Sequence, residues 1–179
     1  MRNFAFRSVL ILTMFTAFLG CSSDSDSETS CPLGYTGSNC DMEKVPTKMF
    51  ISKIRVTSFP NQNNTSDWDV GSAPDIFVRL GRGTGDANTV TLYTSNYFEN
   101  VLSTGTDTYD FVPVTPIEIL SPTQTHLIVL GDYDSVSANE LMGGYTFTPY
   151  ENGMDFPTEM DVYTAGSLLR FKLYVSYQW

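Results

Sequence analysis

Two acidic clusters carry the residues in this chain best suited to chemistry. Asp69-Val70-Gly71-Ser72-Ala73-Pro74-Asp75 runs into the apolar Ile76-Phe77-Val78. Leu127-Ile128-Val129-Leu130-Gly131 runs out into Asp132-Tyr133-Asp134, with Glu140 and then Gly143 beyond it. Each cluster stands where an apolar, β-branched run meets a loop. Carboxylates on neighbouring loops repel one another unless something neutralises them, and a hard cation with oxygen ligands does that well. If the two loops meet in space they make a calcium site. The alternative is ordinary turn formation, since Asp and Asn side chains bond their own backbone in turns.

Enzymatic chemistry has little to work with. The only histidine, His126, opens an apolar run and reads as a strand-end residue with a satisfied ring. No nucleophile elbow, phosphate loop or zinc motif is present. A carboxylate pair can serve glycoside hydrolysis, but carboxylates this crowded suit a cation better than a shared proton. The expectation is a binding protein, not an enzyme. Trp68, between Asp67 and Asp69, lies on a predicted loop and reads either as a contact to membrane or ligand, or as packing against the loop base.

The elements that must position these residues are strands. Met49–Val56 alternates apolar and polar over its second half, Asn61–Ser66 is a polar loop, Ile76–Leu80 is a strand, and Gly81–Asn88 is a glycine-rich turn. Thr89–Thr94 alternates again. Pro113 and Pro116 confine Phe111–Leu120 to an edge or a bulge. The continuous run His126–Leu130 suggests burial on both faces. Tyr145–Tyr150 and Leu168–Tyr177 complete the set, the last placing Leu169, Phe171, Leu173, Val175 and Tyr177 in the core. No helical period and no internal repeat appears. The fold expected over residues 48–179 is all-β, one antiparallel β-sandwich of about eight strands.

With those strands in place, the chain resembles a C2 domain, the calcium-dependent phospholipid-binding β-sandwich. That family carries Asp-x-x-Gly-x-Ser-Asp-Pro-Tyr-Val between early strands. Here Asp69 and Asp75-Ile76-Phe77-Val78 stand in those places, with Gly71 one position early and Pro74 before the aspartate. The family also carries an apolar strand ending in Asp-x-Asp, a further acid eight positions from the first, and an Ile-Gly pair. Asp132, Asp134, Glu140 and Leu141-Met142-Gly143 match that order. The resemblance covers roughly Lys53 to Tyr150, and the Pro-x-Trp-Asn-Glu signature is missing between Tyr93 and Phe111. It implies a C2-like fold with calcium as cofactor, held by Asp69, Asp75, Asp132, Asp134 and Glu140 on loops at one end. In that family, apolar residues at the loop tips enter lipid, the role Trp68 would take.

The N-terminus implies how the module is presented. Arg2 and Arg7 precede the apolar segment Val9–Leu19, which is too short to span a membrane comfortably and reads as a leader, residues 1–20. Phe18-Leu19-Gly20-Cys21 resembles a lipobox, which implies lipid attachment at Cys21. Residues 21–30 form an acidic, Ser-rich tether with nothing to bury. Acidic residues after such a cysteine resemble the surface-export signal of lipoproteins in the Bacteroidetes group, which implies an outer-membrane lipoprotein facing outward. A periplasm-facing lipoprotein with a plain linker is the alternative.

With Cys21 assigned to lipid, Cys31 and Cys40 remain as an even pair in an oxidising setting, so a disulfide is expected. Residues 31–40, with Gly34-Tyr35-Thr36-Gly37, resemble the last cysteine loop of an EGF-like module and read as a rigid spacer before the sandwich. The formal charge of −10 becomes −12 once Arg2 and Arg7 leave with the leader. A field of that sign excludes nucleic acid as a partner through net charge. The expected partners are a membrane through the N-terminal lipid and an anionic, phospholipid, glycan or protein ligand. Three roles stay open. One is a surface-anchored calcium-bridged binding module, and another is a structural or adhesive lipoprotein whose sandwich binds no ion. The third and weakest is a glycan-binding component of a surface uptake system.

Overall fold

The computed structural model describes residues 30–69, 71–135 and 138–179. The expected leader, Cys21 and all of the tether but Ser30 lie outside them. The described residues contain no helix. In chain order the strands are β1 (Tyr35–Thr36), β2 (Met42–Glu43), β3 (Lys48–Ser58), β4 (Gln62–Asn63), β5 (Ser66–Asp67), β6 (Ile76–Arg82) and β7 (Val90–Phe98). They continue as β8 (Tyr109–Phe111), β9 (Ile117–Ile119), β10 (His126–Asp132), β11 (Glu140–Phe147), β12 (Glu159–Val162) and β13 (Arg170–Gln178). Two antiparallel sheets form the sandwich, one in the order β11-β10-β6-β7 and the other β12-β13-β3-β8, with β9 also pairing β3. Since β8 and β9 share one lane beside β3, four lanes face four, which agrees with the expected strand number.

The prolines act as anticipated. Phe111–Leu120 does not form one strand: it lies on the edge and splits into β8 and β9 around Pro113 and Pro116. On β3 the inward residues are Met49 and Ile51, then Ile54 and Val56, all fully buried. The phase changes because Val175 faces Ile51 while Tyr174 faces Lys53, which leaves Ser52 as an extra, bulged residue. That bulge is why only the second half of the strand shows clean alternation in sequence. The core joins both sheets: Ile76, Val78, Leu80, Ile128 and Leu130 meet Ile119, Phe171, Leu173 and Val175. Each such side chain contributes about 1.5–3 kcal/mol on burial.

Four sequence expectations are corrected. The run His126–Leu130 is buried on one face, not two, because Leu127 and Val129 alternate onto the outer face and are only half-buried. Phe77, Leu141 and the turn around Gly85 crowd in around them and give partial cover. Gly81 belongs to β6, opposite Thr91, and not to the turn. Asn61–Ser66 is not wholly a loop, since it contains most of the small β4–β5 hairpin. The strand β12 was not anticipated: its four residues alternate charge and apolar side chains too briefly to register, and it is held by pairing with β13.

The Cys31–Cys40 disulfide is formed, with the Cα atoms 5.3 Å apart. Its hairpin packs onto the end of the sandwich and does not stand off as a spacer. Phe156 lies at the centre, meeting Tyr35 edge-on at 5.5 Å, Trp179 edge-on at 5.0 Å, and Tyr150 in a stack at 5.5 Å. Gly34 has a φ of +89°, and a Cβ there would fall 2.5 Å from the Phe156 ring, so only glycine lets the hairpin approach so closely. The Glu43 carboxylate accepts from the Tyr150 hydroxyl at 3.0 Å and the Gly153 N–H at 2.8 Å, closing this end.

Candidate functional site

The opposite end holds the acidic loops, and strand register brings them together. In β10 the inward phase runs His126, Ile128, Leu130, Asp132, and the unbroken register with β6 carries that phase to Asp132 at the strand end. β6 lies antiparallel beside β10, with Ile76 opposite Asp132. Asp75, which leads into β6, and Asp134, which follows β10, therefore sit at the same end. Asp69 forms a bridge with Ser72 in the loop before β6.

Asp132 is the central residue. It is 1% exposed. Its Oδ1 accepts the Asp75 backbone N–H at 2.7 Å. Its Oδ2, also buried, has no hydrogen-bond partner among the described residues. Burial pushes the carboxyl pKa up to about 6, with Asp69, Asp134 and Asp75 adding repulsion and the Asp75 N–H opposing the rise. Asp69 is raised too, first by desolvation and then by the charges of Asp75 and Asp134. Four of the five expected ligands therefore feel one another electrostatically. Glu140, though it pairs with Asp132 in the β10–β11 ladder, is exposed.

The loops are also fastened by their own hydrogen bonds. Asp75 Oδ1 accepts the Asn100 N–H at 2.8 Å, and Asp75 O accepts the Tyr133 N–H at 2.8 Å. Asn139 Oδ1 accepts the Asp134 N–H at 3.2 Å. Tyr133 stacks on Tyr97 with ring centroids 4.4 Å apart. Sequence reasoning missed Asn100, whose φ of +51° marks it as a left-handed turn residue after β7. Trp68 folds back onto the loop base: its Nε1 donates to Pro60 O at 2.9 Å, and the ring packs on the core. His126 is 1% exposed, its Nδ1 hydrogen-bonding with Gln124 O at 2.8 Å, so its ring is satisfied at the strand end.

The donor set fits a hard cation in its chemistry, since every candidate atom is a carboxylate oxygen and one is buried without a partner. It is not a closed shell, because among the described residues no three acidic, histidine or cysteine side chains converge closely enough to hold a metal ion.

Neither a protein-family model nor a curated protein matches the chain. Among solved structures it is similar to one described as "Structure of a C2 domain", with a TM-score of 0.50 and 13% identity over 74% of this chain and 98% of that one. It is also similar to a C2 domain of plant Extended Synaptotagmin 1, with a TM-score of 0.49 and 13% identity over 75% of this chain and 97% of that one. The fold is an all-β, C2-like sandwich.

Proposed function

We propose that this chain is a lipid-anchored, non-catalytic binding module in which Asp69, Asp75, Asp132 and Asp134 are the residues that would hold calcium. The C2-like fold supports a membrane- or ligand-binding module at the coarse level. The finer reading rests on one observation: Asp132 is a buried carboxylate whose second oxygen has no partner among the described residues, and the charges of Asp69, Asp134 and Asp75 act on it. Bound there, calcium supplies the positive charge that removes their repulsion and a coordination position for an anionic or hydroxylated ligand. The protein's own part is to aim Asp132 inward, fix Asp75 against it, and hold Asp69 and Asp134 alongside. Cys21 supplies membrane attachment, so the ion need not recruit the protein to a membrane and serves instead to order the loops or bridge to the ligand. The outward face of the outer membrane is the location in this reading. Thermal unfolding with millimolar calcium against chelator tests it: a rise in Tm of several degrees is expected, and no shift in a folded sample overturns it.

A second reading has its own support. Asp75 and Asp132 already fasten backbone N–H groups, and among the described residues no three carboxylates converge as they stand. In that reading the sandwich is a structural or adhesive platform without an ion, and calcium leaves its stability unchanged.

A further inference from the structure

Glu43, at the end of β2, joins the disulfide hairpin to the loop between β11 and β12. Its Oε2 accepts the Gly153 N–H at 2.8 Å as well as the Tyr150 hydroxyl. The Gly153 bond is the first cause holding the Glu43 carboxyl below its ordinary range, so the acceptor is ionised at neutral pH. A second tie runs alongside, the Tyr35 hydroxyl donating to Asp155 Oδ1 at 3.0 Å. Asp155 and Phe156 have φ values of +54° and +46°, a left-handed backbone that is strained in consecutive non-glycine residues. The hairpin thus fastens a strained segment.

The nitrogen bonded by Glu43 has a chemistry of its own. Asn152-Gly153 is the only Asn-Gly pair in the chain, and both residues are exposed in a turn. With no side chain on the following residue, the Gly153 nitrogen can reach the Asn152 side-chain amide. A Cβ at Gly153 would meet nothing within 4 Å, so the turn has room to close a ring. In that step Gly153 N bonds to Asn152 Cγ and the Cγ–Nδ2 bond breaks. Nδ2 leaves as ammonia, carrying the proton that Gly153 N gives up, and a succinimide remains. Water then opens the ring at either carbonyl. One opening leaves aspartate, and the other leaves isoaspartate, with the main chain running through Cγ. Water is the only co-reactant, and nothing is oxidised or reduced.

We propose that Asn152 is a deamidation site gated by Glu43, and that its conversion releases the disulfide hairpin from the sandwich in one direction. Attack requires Gly153 N to give up the hydrogen it donates to Glu43, so that bond and ring closure exclude one another. While the bond holds, the ionised carboxylate keeps the hydrogen engaged and the turn in place. Once the bond opens and the ring closes, the succinimide nitrogen bears no hydrogen and cannot donate to Glu43 again. Isoaspartate restores the N–H but adds a methylene to the main chain, which displaces the donor from Glu43. The strain at Asp155 and Phe156 favours the released form. The inference is independent of the acidic loops and of any ion.

Peptide mapping by mass spectrometry tests it, on the full chain incubated at mildly alkaline pH, with the chain in urea giving the unprotected rate. Folded wild type should deamidate at Asn152 at least about tenfold more slowly than the chain in urea. Glu43→Ala, and Ser at both Cys31 and Cys40, should each recover most of that factor while amide protection in β3 and β10 shows the sandwich still folded. Glu43→Gln keeps an uncharged acceptor and should fall between, and it carries the test where Glu43→Ala does not fold. The isoaspartyl form, separated by chromatography, should exchange the amides of residues 31–43 faster than the unmodified chain. Folded wild type that deamidates as fast as the chain in urea overturns the proposal. A folded Glu43→Ala no faster than wild type does so too, and a slower one would make the carboxylate a base for the attack instead of its gate. An isoaspartyl form whose hairpin exchanges like the unmodified one overturns the release.

Discussion

The backbone N–H of Asp75 donates to Oδ1 of Asp132 at 2.7 Å across 57 positions of sequence, tying the two acidic loops to one another. The bond fixes where the loops meet and orients the one carboxylate whose other oxygen is buried without a partner among the described residues. A contact serving stability and a candidate ligand thus reside in one side chain.

Replacing that side chain separates the two roles. Asp132→Asn keeps an acceptor for the Asp75 N–H and removes the buried charge. Without calcium at neutral pH it should stabilise the fold by about 1–2 kcal/mol, while abolishing any rise in Tm on adding calcium. Paired thermal melts with calcium and with chelator check this. A variant that keeps the full calcium response excludes Asp132 as a ligand.

The pH dependence of the calcium-free protein follows from the same residue. Asp132 has a folded pKa of about 6, above its value of about 3.9 in an unfolded chain. The folded state therefore binds more protons between these values, and Asp132's contribution to stability falls as pH rises through that window. Urea unfolding at several pH values should show this slope in the wild type and a flatter one in Asp132→Asn.

Asp110 predicts the opposite sign. It accepts two bonds from Arg55, at 2.6 and 2.7 Å, and one from Lys53 at 3.3 Å. The bonds from Arg55, before those from Lys53, hold its carboxyl below the ordinary range. Its contribution is present above the unfolded pKa of about 3.9 and is lost as pH falls through the folded value. The pair is partly exposed, so Asp110→Asn should cost only about 0.5–1.5 kcal/mol at pH 7. Comparing denaturation midpoints at pH 7 and near pH 3 should show the difference between variant and wild type shrinking in acid.

The disulfide hairpin should act as part of the sandwich. Replacing both Cys31 and Cys40 by Ser opens a loop with a sequence separation of 9. The expected loss is about 2–3 kcal/mol. Because Tyr35 packs on Phe156, amide exchange should rise not only in the hairpin but around Phe156 and Tyr177. Exchange confined to residues 31–40 would mean the hairpin is only an appendage.

Gly131 offers a packing test beside the site. A Cβ there would fall 2.5 Å from the Phe77 ring. Gly131→Ala should destabilise by about 1–3 kcal/mol, and Phe77→Leu in the same chain should recover part of that loss. Purely additive penalties in the cycle would place the crowding elsewhere.

The sequence by itself determined the fold class and most of the strands, because period-two alternation and proline placement are local properties. Phe171, Leu173 and Val175 could be assigned to the core from one strand alone. The early disulfide was legible from cysteine count and setting. Other features required neighbours that are distant in the chain. Leu127 and Val129 look like core residues in sequence, and only the outer surface of the sheet shows them half-exposed. The contacts of Trp68 with Pro60 and of Glu43 with Tyr150 leave no periodic trace. The acidic clusters were visible as types and spacings, but spacing along a chain does not measure separation in space. The antiparallel register of β6 and β10 decided that Asp69, Asp75, Asp132 and Asp134 share one end. It also decided that Asp132 is buried with one oxygen unpaired, while Glu140 stays in solvent, because inward or outward aim at a strand end is fixed by pairing and bulges between strands.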